Sequence, residues 1–129
     1  MEIYTGIDIV ENERIKNAVE RLGDKFLHRV FTEREIDYCK QKVSFYPCLA
    51  ARFAAKEAFI KAYYQAFKEK LFFKQIEVLG KKNSPAEILL HIGNSEAKQY
   101  KIPFKSSISI SHENKFSVAV VVIYLPKVQ

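Results

Sequence analysis

CLAARFAAKEAFIKAYYQAF, residues 48–67, contains neither glycine nor proline and interleaves alanines with aromatic and aliphatic side chains. At helical spacing, Leu49, Phe53, Ile60, Tyr64 and Phe67 share one face, while Ala51, Ala55, Ala58 and Ala62 lie on the opposite side. A helix apolar nearly all round is a buried one. The rest of the chain must therefore supply the layers that cover it.

Outward from this helix, IYTGIDIV at residues 3–10 reads as a strand, with Asp8 interrupting its apolar positions. Residues 12–22 read as a helix, because Ile15, Val19 and Leu22 follow i, i+4, i+7. Thr32-Glu33-Arg34-Glu35 is a capping box opening a short helix that ends near Lys40, followed by a loop over 41–47 containing Pro47. Beyond the long helix, strands are predicted at 75–79 and 86–92 around a turn at 80–85, and a short helix at 95–100. SSISISH at 106–112 and FSVAVVVIY at 116–124 alternate around a three-residue turn and form a β-hairpin. With no repeat and no linker, residues 1–129 form a single α+β domain, a long buried helix against a mainly antiparallel sheet.

With 129 residues, 48% of them hydrophobic and 28% charged, the chain sits near the globular norm, which excludes disordered and collagen-like classes. No apolar run approaches the ~18 residues of a membrane span, and the first residues carry no signal-peptide pattern. A soluble, cytoplasmic protein is expected. Cys39 and Cys48 lack a histidine at metal spacing, so no zinc site is expected, and in a reducing compartment a disulfide is not expected either. The net charge of +6 is uneven: residues 1–40 hold 7 basic and 9 acidic side chains, and the basic excess lies in the remainder. An anionic partner follows from this, without a choice among nucleic acid, phosphorylated ligand, acidic protein and membrane surface.

Several residues do not fit a bland core. Asp8 points opposite to Ile7 and Ile9; it is either an outward, solvated carboxylate or one facing a cation or phosphate site, with Gly6 leaving room for a ligand beside it. Between Leu49 and Phe67 the only charges are Arg52, Lys56, Glu57 and Lys61, and Lys56 falls inside the apolar stripe. Glu57–Lys61 has the helix-stabilising i, i+4 order, yet buried charge is costly unless paired or ligand-bound. His112 ends a strand, where solvation and ligand contact are both open. Arg14, Arg21 and Lys25 line up about 100° from the apolar stripe of the first helix, diluted by neighbouring glutamates. Four glycines and no Walker or dinucleotide pattern leave side chains and metal to hold any phosphate.

Taken together, Gly6-Ile7-Asp8-Ile9-Val10-Glu11 with Arg14-Ile15, Phe31-Thr32 with Glu35, Arg52-Phe53-Ala54-Ala55-Lys56-Glu57-Ala58 with Lys61-Ala62, and Ser109-Ile110-Ser111-His112 resemble, in order and spacing, the motifs of the holo-acyl-carrier-protein synthases. These are the small, one-repeat branch of the 4′-phosphopantetheinyl transferases. The resemblance implies that fold over 1–129, and transfer of 4′-phosphopantetheine from coenzyme A to a serine of apo acyl carrier protein, releasing 3′,5′-ADP and supporting fatty acid biosynthesis. It implies Asp8 and Glu57 as carboxylates for Mg²⁺, which takes one or two carboxylates and completes its shell with phosphate and water. It implies Lys61 as a catalytic phosphate contact, with Arg52 and His112 toward the nucleotide 3′-phosphate. It further implies a homotrimer with active sites between subunits, and Arg14 and Arg21 as a face for the acidic carrier protein.

Departures from the wider pattern fall at three places, the first of them shared by the whole small branch. Val10 stands where larger relatives carry a third acid, residues 63–68 replace a Gly-Thr-Gly-like loop, and Asn12 replaces a usual apolar residue. The competing reading is a non-catalytic nucleic-acid module, which requires exposed aromatics beside the basic residues and Asp8 far from Glu57.

Overall fold

The computed structural model describes residues 1–81, 84–91 and 104–126; the helix expected at 95–100 lies outside the described residues. In chain order the elements are β1 (Glu2–Glu11), α1 (Asn12–Leu22), α2 (Asp24–Val30), α3 (Glu33–Lys40), α4 (Phe45–Phe67), a 3-10 turn (Phe73–Gln75), β2 (Ile76–Lys81), β3 (Ser84–Leu90), β4 (Lys105–His112) and β5 (Phe116–Leu125). The strands form an antiparallel sheet in the order β1-β5-β4 and a separate antiparallel β2–β3 pair. No described helix is long and apolar enough to cross a membrane.

The long helix begins earlier than its apolar pattern suggested, at Phe45. Pro47 falls in its first turn, where backbone N–H groups have no helical acceptor and a missing donor costs nothing. It is also the alanine side, more than the aromatic one, that meets the sheet. Ala54, Ala55, Ala58 and Ala62 are fully buried, whereas Tyr64 is exposed. The small side chains let strand and helix backbones touch. A Cβ on Gly6 would overlap the carbonyl oxygen of Ala58 and stand 3.1 Å from the Ala62 nitrogen. The space beside Gly6 is therefore filled by α4, not left for a ligand.

At the other end, α4 runs through Phe67 and stops at Lys68, whose φ of 58° is left-handed. Residues 63–67, which replace the glycine loop, are helix. Gly23, at φ 62°, separates α1 from α2, so the line Arg14–Arg21–Lys25 does not continue along one helix.

Cys39 and Cys48 are disulfide-bonded, against expectation. The last turn of α3 and the first turn of α4 face each other across a connection of four residues, which brings the two Cα atoms within 5.6 Å. That separation is in the range a disulfide spans.

Candidate active site

The alternation of β1 decides where Asp8 points. Ile3, Ile7 and Ile9 are the exposed side of this strand, each about 60% accessible, whereas Gly6 and Val10 are buried against α4. Asp8 shares their parity and faces the helix. The outward, solvated reading of Asp8 is thus reversed: the isoleucines face out and the carboxylate faces in.

From α4, Lys61 donates to the Ile7 carbonyl at 2.9 Å, and its Nζ stands 3.3 Å from Asp8 Oδ1. One turn later Gln65 donates to the Thr5 carbonyl at 3.1 Å. Two side chains at i, i+4 therefore fasten the open edge of β1 to the helix.

Glu57 completes the group. Burial pushes its carboxyl up from the ordinary value and the nearby Asp8 charge pushes it further, while Lys61, Arg14 and Lys70 pull the other way. Among the described residues Glu57 has no hydrogen-bond or ion-pair partner, and Asp8 makes only its one contact to Lys61. Two carboxylates close enough to repel, with lone pairs free, fit a divalent cation that completes its shell from phosphate and water. No cluster of three or more metal-ligating side chains exists among the described residues, in keeping with Val10 at the third position.

Lys56 has a different occupation. It is fully buried and pairs with the equally buried Glu35 at 2.7 Å. It also donates to the Val30 and Phe73 carbonyls at 2.7 and 3.2 Å. Glu35 accepts from the Thr32 and Val78 backbone N–H groups, closing the predicted capping box and holding β2 to α3. Burial lowers the Lys56 pKa and Glu35 opposes that shift. Charge inside the apolar stripe is here satisfied by protein.

Arg52 is likewise buried, on the Lys56 side of the helix. Its guanidinium lies 4.5 Å from the Tyr38 ring centre, Nη1 donates to Cys48 Sγ at 3.4 Å, and Nε has no hydrogen-bond partner among the described residues. His112 is exposed at the end of β4, which β5 separates from β1. Two strand spacings, roughly 10 Å, thus divide it from the strand carrying Asp8. Within one chain, then, Asp8, Glu57 and Lys61 come together, and Arg52 and His112 do not join them.

Arg14 and Arg21 are exposed and line an open groove of about 500 Å³ with Arg29, Phe26 and Phe53. Arg14 links groove and carboxylates, since its charge is felt at Glu57. Sequence reasoning missed Arg29 and Lys70. The signal for Arg29 was Gly23, whose helix break folds α2 back so that Arg29, not Lys25, lines the groove. Lys70 follows the left-handed cap at Lys68, and no periodicity points to it.

The profile of the 4′-phosphopantetheinyl transferase superfamily matches residues 4–121. A holo-[acyl-carrier-protein] synthase of Aquifex aeolicus is 49% identical over 120 residues, 92% of this chain and 95% of that protein. The structure resembles an ACPS–CoA complex of Chronobacterium ammoniagenes, with TM-score 0.81, 27% identity, and coverage of 98% of this chain and 100% of that one. It also resembles a holo-(acyl-carrier-protein) synthase of Bacillus anthracis in complex with CoA (3′,5′-ADP), with TM-score 0.67, 31% identity, and coverage of 93% and 94%.

Proposed function

This chain belongs to the 4′-phosphopantetheinyl transferase superfamily, and from that premise we propose that it is a magnesium-dependent holo-acyl-carrier-protein synthase. It transfers 4′-phosphopantetheine from coenzyme A to a serine of apo acyl carrier protein. The serine oxygen forms a bond to the phosphorus that carries pantetheine, the bond from that phosphorus to the bridging oxygen breaks, and 3′,5′-ADP leaves with that oxygen. The observation that carries this reading is the meeting of Asp8 and Glu57 across the β1–α4 contact, with Lys61 beside them.

Asp8 and Glu57 are the residues to hold Mg²⁺, which supplies charge neutralisation on the pyrophosphate when bound. Lys61, anchored by the Ile7 carbonyl, places an ammonium toward the same phosphates. On this reading Glu57 is this chain's candidate base for the serine proton. Arg14, Arg21 and Arg29, around the apolar floor of Phe26 and Phe53, form the face for an acidic carrier protein.

Arg52 and His112 serve the nucleotide in an assembly of chains. The outer sheet face, with Ile3, Ile7, Ile9 and Val120 exposed, suits burial against a second copy. A homotrimer would bring His112 of one subunit to the carboxylates of the next. The role is supply of holo carrier protein to fatty acid biosynthesis, in the cytoplasm where both substrates reside.

Mass spectrometry of apo acyl carrier protein incubated with the chain, coenzyme A and Mg²⁺ tests the proposal. A mass gain of one phosphopantetheine group is expected, and none when the metal is chelated before the reaction starts. An unmodified carrier protein, under conditions where a known synthase modifies it fully, contradicts it.

A further inference from the structure

α1 starts directly from β1, with no connecting residue, and the Glu11 side chain does not cap it. What holds this corner is Asn12, which is 5% exposed. Its backbone N–H donates to the Lys115 carbonyl at 2.8 Å. Its side-chain Nδ2 donates to the Glu113 and Asn114 carbonyls at 2.8 and 3.1 Å. Its Oδ1 accepts from the hydroxyl of the fully buried Ser117 at 2.7 Å. All four bonds reach one feature, the β4–β5 turn and the first residues of β5.

That turn is also hydrogen-bonded within itself. Glu113 Oε1 accepts from the Lys115 and Phe116 N–H groups, and the Glu113 N–H donates to the Phe116 carbonyl. Asn12 thus grips a preformed anchor. An apolar side chain, the usual occupant by resemblance, would make none of the three side-chain bonds and would leave Ser117 buried without this acceptor.

Two residues after this corner stands Arg14, exposed, lining the basic groove and reaching electrostatically to Glu57. Where α1 starts sets where Arg14 stands. We propose that Asn12 is a positioning residue for carrier-protein recognition: by fastening the β1–α1 corner to the β4–β5 turn, it fixes Arg14 at the mouth of the active site. This rests on Arg14 being a carrier-protein contact. Asn12 itself touches neither substrate.

The test is a double-mutant cycle on binding of apo acyl carrier protein, followed by calorimetry without Mg²⁺ so that no transfer occurs. Asn12→Ala should raise Kd roughly three- to tenfold, and Ser117→Ala, which removes one of the four bonds, about twofold. The KM for coenzyme A should stay within about twofold of wild type, measured separately by transfer. In an Arg14→Ala background, either substitution should add less than about 1.5-fold, because the group it positions is gone. The same factor in both backgrounds overturns the inference, as does a fall in melting temperature with unchanged Kd. Should Asn12→Ala not fold, Ser117→Ala decides alone, and an unchanged Kd overturns the inference. An unaltered Kd in Arg14→Ala itself overturns the assignment of Arg14 and this inference with it, while the mass-gain assay continues to judge the reaction.

Discussion

Two lysine–carboxylate pairs lie on opposite sides of α4, and they do different things with the same chemistry. Lys56 and Glu35 are fully buried, and the ammonium has three acceptors within 3.2 Å. Lys61 and Asp8 are accessible at 53% and 18%, and beside them Glu57 has no partner among the described residues. The first group is satisfied and therefore structural. The second leaves lone pairs unmatched and two like charges adjacent, an arrangement that folding alone does not favour and a cationic ligand would.

Substitution on each side should separate activity from stability. Asp8→Ala should lower kcat/KM on the order of 10²–10³-fold while leaving the melting temperature unchanged or raised, since a repelling charge is removed. Lys61→Gln should lose activity of similar order with a melting temperature within a few degrees of wild type, because an exposed pair contributes only about 0.2–1 kcal/mol. Near-normal kinetics in Lys61→Gln would leave Lys61 only a structural tie between α4 and β1. On the buried side, Lys56→Met strands Glu35 and should cost about 3–5 kcal/mol in denaturant unfolding, with activity per folded molecule retained. Loss of activity without loss of stability in that variant would erase the distinction.

A smaller effect sharpens the same contrast through pH. Glu77, on β2, is 2% exposed; hydrogen bonds from Thr32, Arg34 and His91 lower its pKa to about 2 against the cost of burial. A carboxyl whose folded pKa is depressed stabilises the fold above its unfolded value near 4.5, and that contribution is lost as pH falls toward 2. Melting temperature should therefore decline between these values, and Glu77→Gln should lower it at pH 7 and flatten the decline. An unchanged slope would show that Glu77 carries none of it.

Much of this was legible in the sequence. The apolar 48–67 run announced a buried helix, and charge placed where a core helix should have none singled out Glu57 and Lys61, while the roles given to them and to Asp8 came from the family resemblance. Which face of β1 is buried was not readable, because the isoleucines of a strand with a bare outer face look like core residues. The exposed isoleucines, the buried Val10 and the close approach at Gly6 settle the parity. The partner of Lys56 was hidden because Glu35 lies on another helix and doubles as a capping residue. The disulfide was hidden because it depends on how α3 and α4 turn back on each other, which residue spacing does not encode.

The central claim is that the Asp8 and Glu57 carboxylates beside Lys61, and not the buried pair on the other side of α4, hold the metal. Mn²⁺, a paramagnetic stand-in for Mg²⁺, can be titrated in the presence of coenzyme A and followed by electron paramagnetic resonance. The wild-type chain should bind one Mn²⁺ per active site, Asp8→Asn and Glu57→Gln should each lose that binding, and Glu77→Gln, on the far hairpin, should keep it. Undiminished Mn²⁺ binding by folded Asp8→Asn and Glu57→Gln would contradict the account.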